Sequence, residues 1–270
     1  MELEFSLIIL LAGVALAAGF FDAIAGGGGL VTLPALLLAG IDPVSALATN
    51  KFQAASASVS ATATFARKGM IEWRRGLPMA AVAMLGGAGG ALSANYIPAT
   101  VFQAVVPVLL VAVAAYFAFS PKLDEQARRA RLSAAAFCLT LVPMIGFYDG
   151  LFGPGVGSFY MLAFVLLLGQ GVMRAVCNSK LLNAACNLGA LLVFGLLGNI
   201  LWPLALAMGA AAFIGAQLGA RCAVHFGPTL IKPMLITVCC LMAGKLLMTP
   251  GNPWQQWITT CADAVKGALA

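Results

Sequence analysis

Apolar residues run along the chain in stretches near 5–24, 29–40, 44–66, 77–96, 100–119, 132–152, 156–169, 172–195, 200–221 and 228–248. Most approach the roughly 20 residues that a helix needs to cross a ~30 Å hydrocarbon layer. The pattern predicts an all-α polytopic membrane protein. Two stretches, 29–40 and 156–169, are too short to cross, and each follows a glycine-rich break, so they predict half-helices or re-entrant segments. Two others are polar enough for loops: Arg67–Arg75 and Pro121–Arg131, which reads P-K-L-D-E-Q-A-R-R-A-R.

The second loop divides the chain into halves that repeat. Gly19-Phe20-Phe21-Asp22, followed by Gly26 and Gly28, matches Gly146-Phe147-Tyr148-Asp149, followed by Gly153 and Gly155, at an offset of 127. Downstream the offset is 129: Gly40 and Lys51 match Gly169 and Lys180, while Gly69, Ile71, Trp73, Gly86 and Gly90 match Gly198, Ile200, Trp202, Gly215 and Gly219. Repeats of this kind are common in transporter folds. The expected organisation is a first transmembrane repeat over 1–120, a cytoplasmic linker over 121–131, a second repeat over 132–249 and a C-terminal interfacial tail over 250–270, where Trp254, Trp257 and Ile258 suit an interface.

Repeat orientation depends on the glycine breaks. If 5–24 and 29–40 form a hairpin that returns to its own side, each half has three further crossings and the repeats are inverted; if they form one broken span, the repeats are parallel. Positive residues concentrate in cytoplasmic loops. Inversion places Arg67, Lys68, Arg74, Arg75, the cluster at 122–131, Arg174 and Arg221 on the cytoplasmic side, with 97–100, 196–199 and both termini outside. A parallel arrangement sends Arg174 and Arg221 out, so inversion is the expectation.

Composition agrees with a membrane chain: 62% of residues are hydrophobic, 9% are charged and the mean hydropathy is +0.99, against about half apolar and a quarter charged in soluble domains. The net charge of +6 sits in loops and forms no patch, which argues against a nucleic-acid partner. Glu2 and Glu4 replace the basic n-region of a signal peptide, so the N-terminus reads as a retained first segment. Seven cysteines, mostly in apolar runs and without Cys-x-x-Cys spacing, argue against metal or disulfide roles. His225, the sole histidine, reads as a bland loop residue. No cofactor is expected.

Within the spans stand four charges, Asp22, Asp149, Lys51 and Lys180, each costing about 2.5–3.5 kcal/mol at a helix centre. One reading makes them structural ion pairs, Asp22 with Lys51 and Asp149 with Lys180. Another has each Asp cap the helix after its glycine break. A third places them in a transport site: Gly26–Gly29 and Gly153–Gly157 free backbone groups at membrane depth, and the head of the following half-helix offers N–H groups to an anion. Candidate anion ligands are Gly27, Gly28, Gly29, Gly155, Gly157 and Ser158 at these heads. To them are added Thr49, Asn50 and Lys51, with Gln53, and Asn178, Ser179, Lys180 and Asn183, with Asn187. Lys180, Asn183 and Asn187 share one helix face. Close helix packing is the competing reading of the glycines and suits Gly86–Gly90 best. Asp22 and Asp149 then serve as coupling or structural groups, through H+ or Na+.

Other functions find less support. No Gly-Lys-Ser/Thr ending makes a nucleotide loop. An intramembrane enzyme would nominate Ser158 and Asp149, but no histidine or metal set accompanies them. An anion channel remains open, because half-helices also build pores.

The motifs G-F-F-D-A-I-A-G-G-G-G-L-V-T-L-P, A-T-N-K and G-F-Y-D-G-L-F-G-P-G-V-G-S-F, with the later lysine and asparagines, resemble the TauE/SafE sulfite exporters, also called TSUP, over residues 8 to about 248. The resemblance implies a multi-pass permease of the bacterial inner membrane for a small sulfur-containing or organic anion such as sulfite, a sulfonate or thiosulfate. Cys177-Asn178-Ser179-Lys180 departs from the family pattern, which has Thr beside the lysine. Substrate, direction, coupling ion and oligomeric state are not chosen by it.

Overall fold

The computed structural model describes residues 4–98 and 129–226 without interruption, together with scattered positions between 100 and 115 and residue 240. The segments expected at 100–119 and 228–248, most of the linker and the tail after 250 lie mainly outside the described residues. Within the described residues the chain is helical: α1 Phe5–Ala25, α2 Gly29–Leu38, α3 Pro43–Arg67, α4 Trp73–Ala94, α5 Ala134–Leu139, α6 Leu141–Leu151, α7 Val156–Leu168, α8 Val172–Leu197 and α9 Trp202–Phe226. Five spans are long and apolar enough to cross a membrane: α1, α4, α5 with α6, α8 and α9.

Helix boundaries follow local chemistry. Asp42 starts α3, its carboxylate accepting the Val44 and Ser45 N–H groups at 3.1 and 3.2 Å, with Pro43 in the first position. The expected helix over 132–152 is interrupted at Thr140, because Pro143 has no N–H to give the Leu139 carbonyl and its ring crowds that oxygen. Two expected loops are shorter than drawn. Helix α4 begins at Trp73 and carries Arg74 and Arg75 in its first turn, and α9 runs through Phe226, so His225 stands in a last helical turn instead of a loop. Arginines at helix ends reach water with their guanidinium groups while their stems stay against the protein, which lets the helices extend into stretches that look polar.

Helix α3 is long enough to span, yet it is not one of the five apolar spans. Its Thr49, Asn50, Lys51, Gln53, Ser58 and Ser60 are buried, because α3 packs against α8 and α9.

The packing is mutual between halves. Helix α1 lies along α9, as α6 lies along α4. A Cβ on Gly215 would come 2.0 Å from the Leu16 carbonyl oxygen, and one on Gly219 2.1 Å from that of Phe20. Likewise a Cβ on Gly86 would come 2.6 Å from the Pro143 oxygen, and one on Gly90 2.0 Å from that of Phe147. These repeated glycines are therefore the close-packing positions expected for Gly86–Gly90.

Both sets of contacts advance by four residues on each partner, so the paired helices run in the same direction. So do α3 and α9: Thr49 meets Leu201, Phe52 meets Trp202, and the Ser60 hydroxyl donates to the Phe213 carbonyl at 2.8 Å. Helices α1 and α3 thus share a direction. Between them α2 runs back, its Thr32 reaching Asn50 of α3 through a hydrogen bond of 2.5 Å.

Candidate functional site

Lys51 and Lys180 occupy equivalent turns of α3 and α8, the two helices that pack together at the centre. Each lysine reaches across to the other half. Lys51 Nζ lies 2.6 Å from Asp149 Oδ1 and also donates to the Asp149 backbone carbonyl. Lys180 Nζ lies 2.9 Å from Asp22 Oδ2. All four side chains are at most 8% exposed. The within-half pairs, Asp22 with Lys51 and Asp149 with Lys180, do not form; the central packing of α3 on α8 puts each ammonium beside the other half's aspartate.

The remaining carboxylate oxygens are used differently. Asp22 Oδ1 accepts the Gly28 N–H at 3.0 Å, so this aspartate does cap the helix after its break. Asp149 Oδ2 instead takes the Cys186 thiol at 2.7 Å. Because both oxygens of each acid are engaged with protein groups, two ions in a low-dielectric interior are held by hydrogen bonds as well as by each other.

The glycine breaks meet one another. Gly26 and Gly155 take left-handed φ values of 80° and 81°, which favour glycine. A Cβ at Gly26 would stand 2.3 Å from the Gly157 carbonyl carbon, and one at Gly157 2.6 Å from Gly26 Cα. The Ser158 N–H points at the Gly26 carbonyl, at 3.3 Å. Gly27, Gly28, Gly155, Gly157 and Ser158 are buried at this crossing, and Gly29 is partly buried beside Pro154 and Asn50. The half-helix heads are thus adjacent, and at α2 the Asp22 carboxylate occupies the place an external anion would take.

The polar clusters are also buried. Thr49 Oγ1 accepts the Leu201 N–H at 3.2 Å, Ser179 donates to the Val176 carbonyl at 2.8 Å, and Asn178 Nδ2 donates to Gln170 Oε1 at 3.0 Å. Asn187 Nδ2 donates to Asn183 Oδ1 at 2.7 Å, on the face shared with Lys180. Gln53 is 1% exposed, and among the described residues neither its amide oxygen nor its nitrogen has a hydrogen-bond partner. Thr32, Cys186 and Gln170 escaped sequence reasoning. Thr32 alone carried a signal, a hydroxyl four residues after Gly28 on a half-helix.

Thr49 and Asn178 are equivalent positions in unlike surroundings. Thr49 is sealed under the head of α9, where Phe52 and Trp202 pack edge to face with ring centroids 5.8 Å apart. Asn178 instead borders an open cavity of about 450 Å³ whose lining includes Arg75, Gln170, Arg174 and Ala130. The heads of α4 and α8 and the end of the linker therefore share one side of the molecule.

A helical chain with several membrane-crossing segments, opposed half-helices and buried ion pairs between its halves has the build of a membrane transporter. Residues 11–246 match the family model described as sulfite exporter TauE/SafE. The chain belongs to that family. It is 46% identical over 257 residues to a probable membrane transporter protein, ORF9, of Sinorhizobium sp., covering 95% of this chain and 98% of that one. To the probable membrane transporter protein YfcA of Escherichia coli K12 it is 44% identical over 234 residues, 87% of each chain. A probable membrane transporter protein of Haemophilus influenzae is 41% identical over 251 residues, 93% of this chain and 98% of that one. No solved structure matches the chain.

Proposed function

We propose that this chain is a secondary transporter of the bacterial inner membrane that moves a small sulfur-containing or organic anion, such as sulfite, a sulfonate or thiosulfate, by alternating access between inverted repeats. The observation that carries the reading is the reciprocal pairing of Lys51 with Asp149 and Lys180 with Asp22. Ion pairs that join two packed halves are natural places for a motion of one half on the other to be driven or released. Inversion is supported by the shared direction of α3 and α9 and by the cavity that Arg75 and Arg174 both line, since a parallel arrangement would put those arginines on opposite faces. The positive-inside rule makes that face cytoplasmic. Alternating access, as opposed to an open pore, is favoured by the contrast between the open cavity at Asn178 and the sealed position at Thr49.

The ion pairs also suggest how a proton couples to the anion. Each of the two lysines is paired with a carboxylate, so neither offers free positive charge to a substrate. A proton arriving on Asp149 or Asp22 cancels the negative partner and leaves an ammonium with net charge in a low-dielectric site, where it attracts an anion strongly. Proton and anion then cross together. Counterflow in proteoliposomes with sulfite, thiosulfate, a sulfonate and a carboxylate tests the assignment. Exchange of at least one sulfur oxyanion supports it, and exchange of none of the panel overturns it.

A further inference from the structure

We infer that Cys186 is the positioning residue for the proton that Asp149 takes up: its thiol turns between two acceptors, so the carboxylate gains or loses a proton with no buried group stranded. The inference rests on the proton-coupled reading above. Its basis is the way the oxygens of Asp149 are used. Oδ1 is held by Lys51 Nζ at 2.6 Å, which leaves Oδ2 to receive a proton, and Oδ2 is where the Cys186 thiol donates, at 2.7 Å. The same sulfur stands 3.5 Å from the Asn183 carbonyl oxygen, within reach of a thiol donor. Cys186 has no exposed surface and Asp149 is 2% exposed, so these protein groups must satisfy each other.

A proton arriving on Oδ2 turns that oxygen from an acceptor into an O–H donor, which sets two hydrogens against each other. A thiol removes the conflict by rotating about its Cβ–Sγ bond. Its S–H swings to the Asn183 carbonyl, and a sulfur lone pair accepts the new Asp149 O–H. The added proton binds an Oδ2 lone pair, the S–H bond stays intact, and Lys51 keeps its own protons; release reverses the moves. The Asn183 carbonyl has room, because the Asn187 amide that donates to it at 2.8 Å also has Asn183 Oδ1 at 2.7 Å. Other groups around the acid are committed elsewhere. From α7, Tyr160 faces Asp149 and Cys186, but its hydroxyl donates to the Val142 carbonyl at 2.9 Å. On α6 itself, Tyr148 donates to the Pro154 carbonyl at 2.8 Å. Helix α4 brings Gly86, Gly87 and Gly90 against α6, none of them ionisable. The first repeat supplies the contrast: Ala57 stands at the position equivalent to Cys186, and the second oxygen of Asp22 accepts the Gly28 N–H at 3.0 Å, a backbone donor that cannot turn away.

Infrared difference spectra of the purified full chain in lipid, recorded between high and low pH, test the switch directly. The S–H stretch falls in a window free of other protein bands, and the band that disappears in Cys186→Ala belongs to this thiol. We expect it to move to higher frequency as the protonated carboxyl band of Asp149 grows, since the thiol exchanges a charged acceptor for a neutral, more distant one. In Asp149→Asn it should not move. A thiol band that stays fixed while Asp149 takes up its proton overturns the switch and leaves proton coupling standing. If no carboxyl band sensitive to Asp149→Asn grows in at any pH, the coupling reading fails for this acid and the switch fails with it. Sulfite uptake into proteoliposomes gives the functional reading. Cys186→Ala, which installs the residue of the first repeat, should lower accumulation driven by a pH gradient about fivefold relative to sulfite exchange, the effect of one hydrogen bond. Cys186→Ser, whose hydroxyl rotates in the same way, should restore most of it. Unchanged accumulation in Cys186→Ala, or equal loss of accumulation and exchange in both variants, assigns the thiol to packing alone and overturns the switch. The infrared reading needs no transported anion, so it decides the matter whether or not sulfite is a substrate.

Discussion

The reciprocal ion pairs predict which residues are energetically coupled. Lys51 and Asp149 are 2.6 Å apart and both at most 2% exposed, so neutralising one strands the other in the interior. Breaking such a pair costs about 3–5 kcal/mol per single substitution. Asp149→Asn removes the charge facing Lys51, although the backbone carbonyl remains as an acceptor, while Lys51→Met leaves the Asp149 carboxylate, among the described residues, with the Cys186 thiol alone. Combining the two removes both charges, and the double variant should be less destabilised than the sum by about 2–3 kcal/mol, within the range of double-mutant couplings for residues in direct contact. Lys51→Met combined with Asp22→Asn should be additive within about 0.5 kcal/mol, because those residues belong to different pairs. Unfolding in mixed micelles, followed by near-UV circular dichroism, supplies the four free energies of each cycle. Additivity for Lys51 with Asp149, together with coupling for Lys51 with Asp22, would refute the cross-half pairing and restore the within-half alternative.

Three further outcomes are expected. Asp22→Asn and Asp149→Asn should retain anion exchange but lose accumulation driven by a pH gradient, as a permanently neutral side chain carries no proton; driven uptake equal to the parent's in both variants would remove the acids from coupling. A single cysteine placed at position 224 in a cysteine-free background should label from the same side as one at 126, and labelling of 224 alone from the periplasm contradicts inversion. Gly90→Val should abolish the folded protein, because a Cβ there already meets the Phe147 carbonyl at 2.0 Å and the α4–α6 contact cannot close around it; a monodisperse, thermally unaltered variant would show that contact to be dispensable.

Much of this architecture was legible in the chain. Spans among the described residues came from apolar run lengths, and the short helices α2 and α7 from the breaks at Gly26–Gly29 and Gly153–Gly157. Ion-pair partners were not legible: an offset identifies Lys51 with Lys180, but only the packing of α3 on α8 decides whether a lysine meets its own half's aspartate or the other's. Cys186 was hidden for a related reason, since a thiol in an apolar run looks like any small hydrophobic residue until Asp149 is placed beside it. Arg74 and Arg75 misplaced the start of α4 because charge was read as loop, when at a helix end it is equally compatible with the first turn.

The salt bridges between halves also bear on how the protein is made. Lys51 leaves the ribosome 98 residues before Asp149, so α3 must enter the membrane with its ammonium unmatched and with a polar face that no completed bundle yet covers. Nascent first halves should therefore linger at the insertion machinery, or be held by a membrane chaperone, until the second half emerges. An isolated first half, released by a stop codon in the linker, should be degraded, whereas two halves made in one cell as separate chains should protect each other from proteolysis.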